Sequence, residues 1–349
     1  MTSRYDTLVI GGGQAGLAAA HYLEKAGLSY IILEASGEFG GSWRHFYKSL
    51  ELFTPAGLSA LPGKPFPGDP ERFPHAHEVD AYLKRYAAAL DPPVVLGARV
   101  ERVEQRNGAF VAHAGDGSSY DGRTVVAATG SFGRPFVPEL PGRDAFRGRL
   151  MHSNEYFEPA PFEGRRVVVI GAASSAVQIA CDLEPVAHVV LASRKHVIFM
   201  PLRTLGKSFI FWSRVSGFDF LPIREQSVVL DDGRFKSYFT SGRIRRRPMF
   251  ERFTEEGVRW ADGTAERFDV AIFGTGFRPN VLYLRVLPGA LDSKGEPLHR
   301  CGVSRNVEGL YYLSLQAQRT FASPALRGVG PDAAFIVERI RRRIEAGAG

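Results

Sequence analysis

Leu8, Val9 and Ile10 form an unbroken apolar run that stops at a cluster of glycines, the pattern of a short strand covered on both faces of a sheet. Comparable runs return at residues 30–33, 124–128, 166–170, 186–192, 270–273 and 310–315. Residues 17–25 read as a helix closed by a turn at Ala26 and Gly27. Residues 78–89 read as another, with Val79, Tyr82, Leu83 and Tyr86 on one face. Strand-like runs at 94–96, 99–105 and 109–113 lead to Gly115-Asp116-Gly117, a hairpin signal. Buried strands alternating with helices predict an α/β fold with parallel sheets.

The first run enters Gly11-Gly12-Gly13-Gln14-Ala15-Gly16, where Gly11, Gly13 and Gly16 have G-x-G-x-x-G spacing. Gly11 permits the tight exit from the strand, Gly13 leaves room for a pyrophosphate, and Gly16 lets the helix pack close to the sheet. The free N–H groups of that helix then face the phosphates. Glu34 ends the next strand about 20 residues on, where a carboxylate can accept ribose hydroxyls. A surface acid after a structural glycine turn is the plainer alternative. The complete unit predicts an adenine dinucleotide at this end of the chain.

Residues 40–73 are rich in Gly, Pro and aromatics, with little period, and a loop this long in a compact domain is usually functional. Gly40 and Gly41 can bring backbone close to a ligand, and Trp43 can stack on a flat ring or pack in the core. The strand at 124–128 runs into Thr129-Gly130, which should meet the same dinucleotide at the carboxyl edge of the sheet.

Pro135, Pro138 and Pro141 mark a stiff connection out of this unit. A second motif follows residues 166–170, with Gly171 as first glycine and Ala173 and Ala176 in place of the other two. The strand after it ends in Ser193-Arg194-Lys195, cations that suit the 2'-phosphate of NADPH where an acid would select NADH. Two exposed basic residues in a turn are the alternative. Residues 209–220 are aromatic-rich and can line a pocket or fill core, core being the expectation. Gly274-Thr275-Gly276 echoes Thr129-Gly130 and suggests a return to the first unit. Ser323-Pro324 reads as the cap and first turn of a final helix, with a break at Pro331. The start of that helix would offer partial positive charge to a flavin edge.

With 349 residues, the chain has room for one large or two medium domains; its 44% hydrophobic and 23% charged content is ordinary for a globular protein. No run approaches the roughly 18 apolar residues of a membrane span, and no signal peptide is evident, so no membrane partner and a cytoplasmic location are expected. The cysteines, Cys181 and Cys301, are far apart, with no C-x-x-C and no metal spacing. A dithiol reductase would need a cysteine pair beside its flavin. The net charge of +7 draws attention to Arg243, Arg245, Arg246 and Arg247. No nucleic-acid module accompanies them, so no nucleic-acid partner is expected.

On these motifs the chain resembles the flavin-containing monooxygenases, single-component FAD and NADPH enzymes, and looks closest to compact bacterial members found with arsenic and metal resistance genes. The resemblance covers nearly the whole chain. Phe146-x-Gly148-x-x-x-His152-x-x-x-Tyr156 matches the family fingerprint, with Tyr156 where Baeyer-Villiger relatives carry tryptophan. Segments 42–56, 129–142 and 274–280 also look like family segments. The resemblance implies two Rossmann-like three-layer domains in a glutathione-reductase-like arrangement. The FAD domain would comprise 1–160 and 268–349, with an NADPH domain, 161–267, inserted.

For FAD it implies contacts from Gly11, Gly13, Gln14, Ala15, Gly16, Glu34, Gly41, Ser42, Trp43, Val100, Thr129 and Gly130, and for NADPH from Gly171, Ser174, Ser175, Arg194 and Lys195, with Gly274 and Gly276 nearby. Trp43, Ser131 and Asn154 are pocket candidates. His152 and Tyr156 would organise the interdomain linker, and no catalytic side chain or metal is required. NADPH would reduce FAD, and O2 would give a C4a-(hydro)peroxide that oxygenates a small soft S, N or As centre. The alternatives are an NADPH-dependent flavin reductase or oxidase and a flavin-bearing redox sensor. The partners are a small-molecule substrate and O2; the assembly is left open, a homodimer included.

Overall fold

The computed structural model describes residues 4–106, 108–223 and 228–347 and is built on two large sheets. The first begins with β1 (Tyr5–Ile10), α1 (Gln14–Lys25) and β2 (Tyr30–Glu34). After the aromatic segment come α2 (Ala76–Leu90), β3 (Val94–Leu96), β4 (Val100–Arg106), β5 (Ala109–Ala114) and β6 (Ser119–Ala127). β1, β2, β3 and β6 run parallel, whereas β4, β5 and β6 form an antiparallel meander.

The chain then leaves through β7 (Arg149–His152), β8 (Arg166–Ile170), α3 (Ser174–Leu183) and β9 (His188–Ser193). An excursion holds β10 (Ile198–Pro201), β11 (Arg203–Thr204), β12 (Lys207–Ser208), α4 (Phe209–Val215), β13 (Val228–Asp231) and α5 (Arg234–Thr240). It is followed by β14 (Arg245–Pro248), the small sheet of β15 (Arg252–Thr254), β16 (Gly257–Arg259) and β17 (Ala265–Arg267), and β18 (Val270–Phe273). The return brings β19 (His299–Arg300), β20 (Val303–Ser304), β21 (Leu310–Tyr312) and α6 (Leu326–Ala346).

Each sheet is covered on both faces, so successive side chains of one strand enter different cores. Val9 packs with α1, α2 and α6 residues such as Leu17, Tyr82 and Ile336, while Leu8 and Ile10 join Val103 and Phe110 of the meander. In the second sheet, Val167 and Val169 face α3, and Val168 and Ile170 face Phe253 and Trp260 of the small sheet. No helix among the described residues is long and apolar enough to cross a membrane.

Four features differ from the sequence expectation. β7 and β18, both counted with the first unit, pair in the second sheet, whose order is β14-β9-β8-β18-β7. Val270–Phe273 is buried throughout and finds its parallel neighbours in Val167–Ile170 and Arg149–His152. The final helix starts at Leu326 with Ala325 as cap, because the Ser323 hydroxyl accepts the N–H groups of Arg319 and Thr320 in the preceding loop. It runs on through Pro331, since a single missing donor is outweighed by packing against α1. In α4 only Ile210 and Ser213 are buried. Phe211, Trp212, Val215 and Phe220 of this stretch are exposed, because its apolar residues lie on both faces of a short helix.

Candidate active site

A cavity of about 710 Å³ lies at the carboxyl edge of the first sheet. This is toward the upper end of the roughly 300–1,000 Å³ of small-molecule sites, as a dinucleotide demands. Gly11, Gly13, Gln14, Ala15, Glu34, Gly41, Ser42, Trp43, Val100, Thr129, Gly130 and Ser131 all line it. Gly16 lies behind the wall: a Cβ there would come within 1.9 Å of the Gly11 carbonyl oxygen, so the α1 backbone sits directly on the turn. Gly41, at φ +59, faces Gly13 so closely that its Cβ would lie 3.0 Å from the Gly13 Cα. A Cβ on Gly13 would find only an ordinary contact at 3.7 Å, so the protein itself has room for a side chain there. The missing side chain keeps that space free for a ligand.

The electrostatics suit a phosphorylated ligand with ribose hydroxyls. α1 has no side-chain cap and no acid in its first turn, so its leading N–H groups and positive end face the cavity. The Glu34 carboxylate accepts the Gly12 N–H at 2.5 Å and the Ser36 N–H at 2.8 Å, which fixes both oxygens at the cavity wall. Each oxygen keeps lone-pair capacity for a hydroxyl. The Trp43 indole donates to Gln14 Oε1 at 3.1 Å, and Gln14 Nε2 donates to the Pro324 carbonyl at 2.9 Å. One side-chain amide thus ties the glycine turn, the aromatic segment and the approach to α6.

Several lining groups were not singled out individually in the sequence. Thr129 donates to the Asn280 carbonyl at 2.6 Å, and Asn280, Tyr283 and Ser314 line the cavity. Ser314 holds φ +69, a conformation non-glycine residues seldom adopt and one that recurs at ligand sites. Rings form a chain along one wall: Trp43 to Phe46 at 5.4 Å, Phe46 to Phe132 at 4.7 Å, and Phe132 stacked on Phe277 at 5.2 Å. The aromatic richness of residues 40–73 was the available signal.

Asn154 is placed differently: its Oδ1 lies 3.0 Å from His152 Nδ1, and it is not among the residues lining this cavity. His152 is buried, and its Nε2 lies 3.0 Å from the Gly276 carbonyl, so Nε2 carries the proton and Nδ1 accepts the Asn154 N–H. Burial lowers its pKa, although the Asn154 side-chain oxygen, the Gly276 carbonyl and the Glu155 carboxylate oppose the shift. Tyr156 donates to Asp182 on α3 at 2.6 Å and Tyr47 donates to Gln178 at 2.5 Å. Burial first, then the Asp182 carboxylate, drive the Tyr156 phenol far above its usual range, so it acts as a fixed strut.

The second motif shares the carboxyl edge of the second sheet. Gly171 follows β8, Arg194 and Lys195 follow β9, and Gly274 and Gly276 follow β18, three adjacent parallel strands. Ser174 opens α3, which also lacks a side-chain cap and an early acid, and Ser175 bonds toward the Tyr47 hydroxyl. Arg194 and Lys195 are exposed. The Ala176 methyl fits where a glycine was expected, because Gly274 faces it: a Cβ on Gly274 would lie 2.7 Å from that of Ala176.

The arginine cluster is satisfied within the protein. Arg243 pairs with Glu184, Arg245 with Glu266 and Arg247 with Asp262, while Arg246 bonds His196. Cys181 is buried in the second unit, where burial pushes its thiol up to about 12, and Cys301 is exposed in the turn after β19. Neither lines the dinucleotide cavity. Among the described residues, no group of three or more His, Cys, Asp or Glu could hold a metal ion.

Residues 8–202 match the family described as pyridine nucleotide-disulphide oxidoreductase. An uncharacterized CzcO-like oxidoreductase of Geobacillus kaustophilus is 32% identical, covering 96% of this chain and 98% of its own. Indole-3-pyruvate monooxygenase YUCCA1 of Oryza sativa is 30% identical over 95% of this chain and 90% of its own. Among solved structures, a flavin-containing monooxygenase from Stenotrophomonas maltophilia superposes with a TM-score of 0.87 at 32% identity, over 98% of this chain and 99% of that one. A bacillithiol disulfide reductase from Bacillus cereus, at 21% identity and TM-score 0.76, shares the fold.

Proposed function

Because the chain belongs to the pyridine nucleotide-disulphide oxidoreductases and, within them, to the flavin-containing monooxygenases, we propose that it is an FAD-dependent, NADPH-using monooxygenase that oxygenates a small soft nucleophile at S, N or As. The observation that carries the reading is the contrast between two uncapped glycine-turn helices. One lies beside the carboxylate of Glu34, which suits a ribose diol, and the other beside Arg194 and Lys195, which suit a 2'-phosphate. The cysteine placement disfavours a dithiol reaction.

Bound FAD would supply the redox chemistry, taking two electrons from NADPH and passing them to O2. In the net reaction one oxygen atom joins the substrate and the other leaves as water. The chain's own residues bind, orient and exclude solvent. Gly13 and Gly41 open the backbone to the pyrophosphate, Glu34 holds the ribose, and the Trp43–Gln14–Pro324 link fixes the wall. Tyr47 and Tyr156 set the position of α3 against the aromatic segment. We take the two units as domains, the nicotinamide domain being entered near residue 149 and left near 273.

Anaerobic mixing of the purified holoenzyme with NADPH tests the reading. The flavin absorbance should bleach, faster with NADPH than with NADH, and should return when air is admitted. A flavin that stays oxidised under NADPH would overturn it.

A further inference from the structure

Of the arginines at 243, 245, 246 and 247, three meet carboxylates and Arg246 does not. Side chains alternate along β14, so Arg245 and Arg247 turn toward the small sheet. There they meet Glu266 and Asp262, and the Arg247 guanidinium lies over the Trp260 ring at 4.2 Å. Arg246 lies on the opposite face, in register with Leu191 of β9, which packs in the core formed with α3. Its Nη2 donates to His196 Nδ1 at 2.9 Å. An imidazole that accepts at Nδ1 is neutral, so this bond aims the guanidinium without cancelling its charge.

His196 directly follows Arg194 and Lys195 in the turn after β9. The turn is held against β14: the Ser193 hydroxyl donates to the Lys195 carbonyl at 2.9 Å, and the Met249 N–H donates to the Ser193 carbonyl at 3.0 Å. Arg246 thus brings a third cation to this turn from the edge strand of the second sheet, 50 residues from His196 in sequence. Arg194, Lys195 and Arg246 are all exposed, and none of them pairs with a carboxylate among the described residues. Like charges gathered at one turn repel, and a phosphate monoester relieves that repulsion where a ribose hydroxyl does not.

We propose that Arg246 is a specificity-determining residue for the 2'-phosphate of NADPH, and that His196 is the positioning residue that aims it. The proposal rests on the reading of the second glycine turn as the NADPH site. Arg194 and Lys195 alone are two flexible side chains on one turn. Arg246 adds a planar guanidinium from a second element, held at one nitrogen by the imidazole and with its remaining N–H groups free for phosphate oxygens.

The test is calorimetric binding of 2',5'-ADP and 5'-AMP to the FAD-loaded enzyme, with no turnover involved. The wild type should bind 2',5'-ADP more tightly, by about tenfold or more. Arg246→Ala should weaken 2',5'-ADP about tenfold and leave 5'-AMP within about twofold, while the flavin-to-protein ratio holds. Arg246→Lys should recover only part of the loss. His196→Ala should weaken 2',5'-ADP about threefold, and His196→Asn, whose amide oxygen still accepts, should restore it. Arg243→Ala, which removes a charge already met by Glu184, should change neither affinity. An undiminished preference in Arg246→Ala, or an equal loss in Arg243→Ala, would overturn the proposal while leaving the NADPH reading intact. A wild type that binds the two probes equally would overturn both.

Discussion

Arg327 in the first turn of α6 and Asp219 in the excursion of the inserted unit form a two-pronged ion pair, with Nη2 at 2.9 Å from Oδ1 and Nε at 3.2 Å from Oδ2. Their side chains are 3% and 1% exposed. Arg327 Nη1 also reaches Thr54 Oγ1 at 3.3 Å, so the aromatic segment, the excursion and the C-terminal helix are pinned at one point. Removing one partner from a buried pair strands the other charge.

Asp219→Asn or Arg327→Met should therefore lower stability by about 3–5 kcal/mol, and the double replacement by apolar residues should cost less than either single change. Denaturation midpoints of the holoenzyme check the order. A double variant worse than both singles would show that the pair contributes net attraction.

Glu34 presents two oxygens already fixed by the Gly12 and Ser36 N–H groups. Glu34→Gln should weaken FAD binding by about 2 kcal/mol, roughly thirtyfold, through loss of charged acceptance. Titration of the apoprotein with FAD measures it, and unchanged affinity would remove Glu34 from the ribose site.

Arg194 and Lys195 are exposed and free to reach a phosphate at the edge of the second sheet. Arg194→Ala with Lys195→Ala should raise the NADPH dissociation constant about ten- to hundredfold and leave NADH within about twofold. Equal losses for both nucleotides would mean that these cations do not read the 2'-phosphate.

His152 has its pKa lowered chiefly by burial. The unfolded chain therefore binds a proton that the folded one does not. Stability contributed by neutral His152 is complete above the ordinary value of about 6.5 and is lost as pH falls below it, at no more than about 1.4 kcal/mol per pH unit. Unfolding midpoints of the wild type and His152→Gln should converge between pH 7 and pH 5. Parallel curves would contradict a neutral His152.

The placement of the glycine turn, Glu34 and the paired basic residues at the ends of parallel strands was legible because each position follows from a backbone or charge requirement confined to about thirty consecutive residues. Ala176 was harder to read. Whether a methyl fits there depends on Gly274, which only the folded sheet brings opposite it. The placement of β18 was missed because a strand buried on both faces carries no mark of which sheet it joins. Asn280 and Ser314 reach the cavity from loops and Tyr283 from a single helical turn, Leu282–Leu284, where sequence carries neither period nor spacing. The apolar content of residues 209–220 was visible, but its role in a cavity wall depends on Phe53 and Phe321, contributed from distant segments.

Turnover of the FAD-loaded enzyme with NADPH, methyl phenyl sulfide and isotopically labelled O2, followed by mass spectrometry, tests the central claim most directly. One labelled oxygen atom should enter each sulfoxide, with one NADPH consumed per product. Label confined to water or hydrogen peroxide while NADPH is consumed would contradict monooxygenation and make the protein an NADPH oxidase.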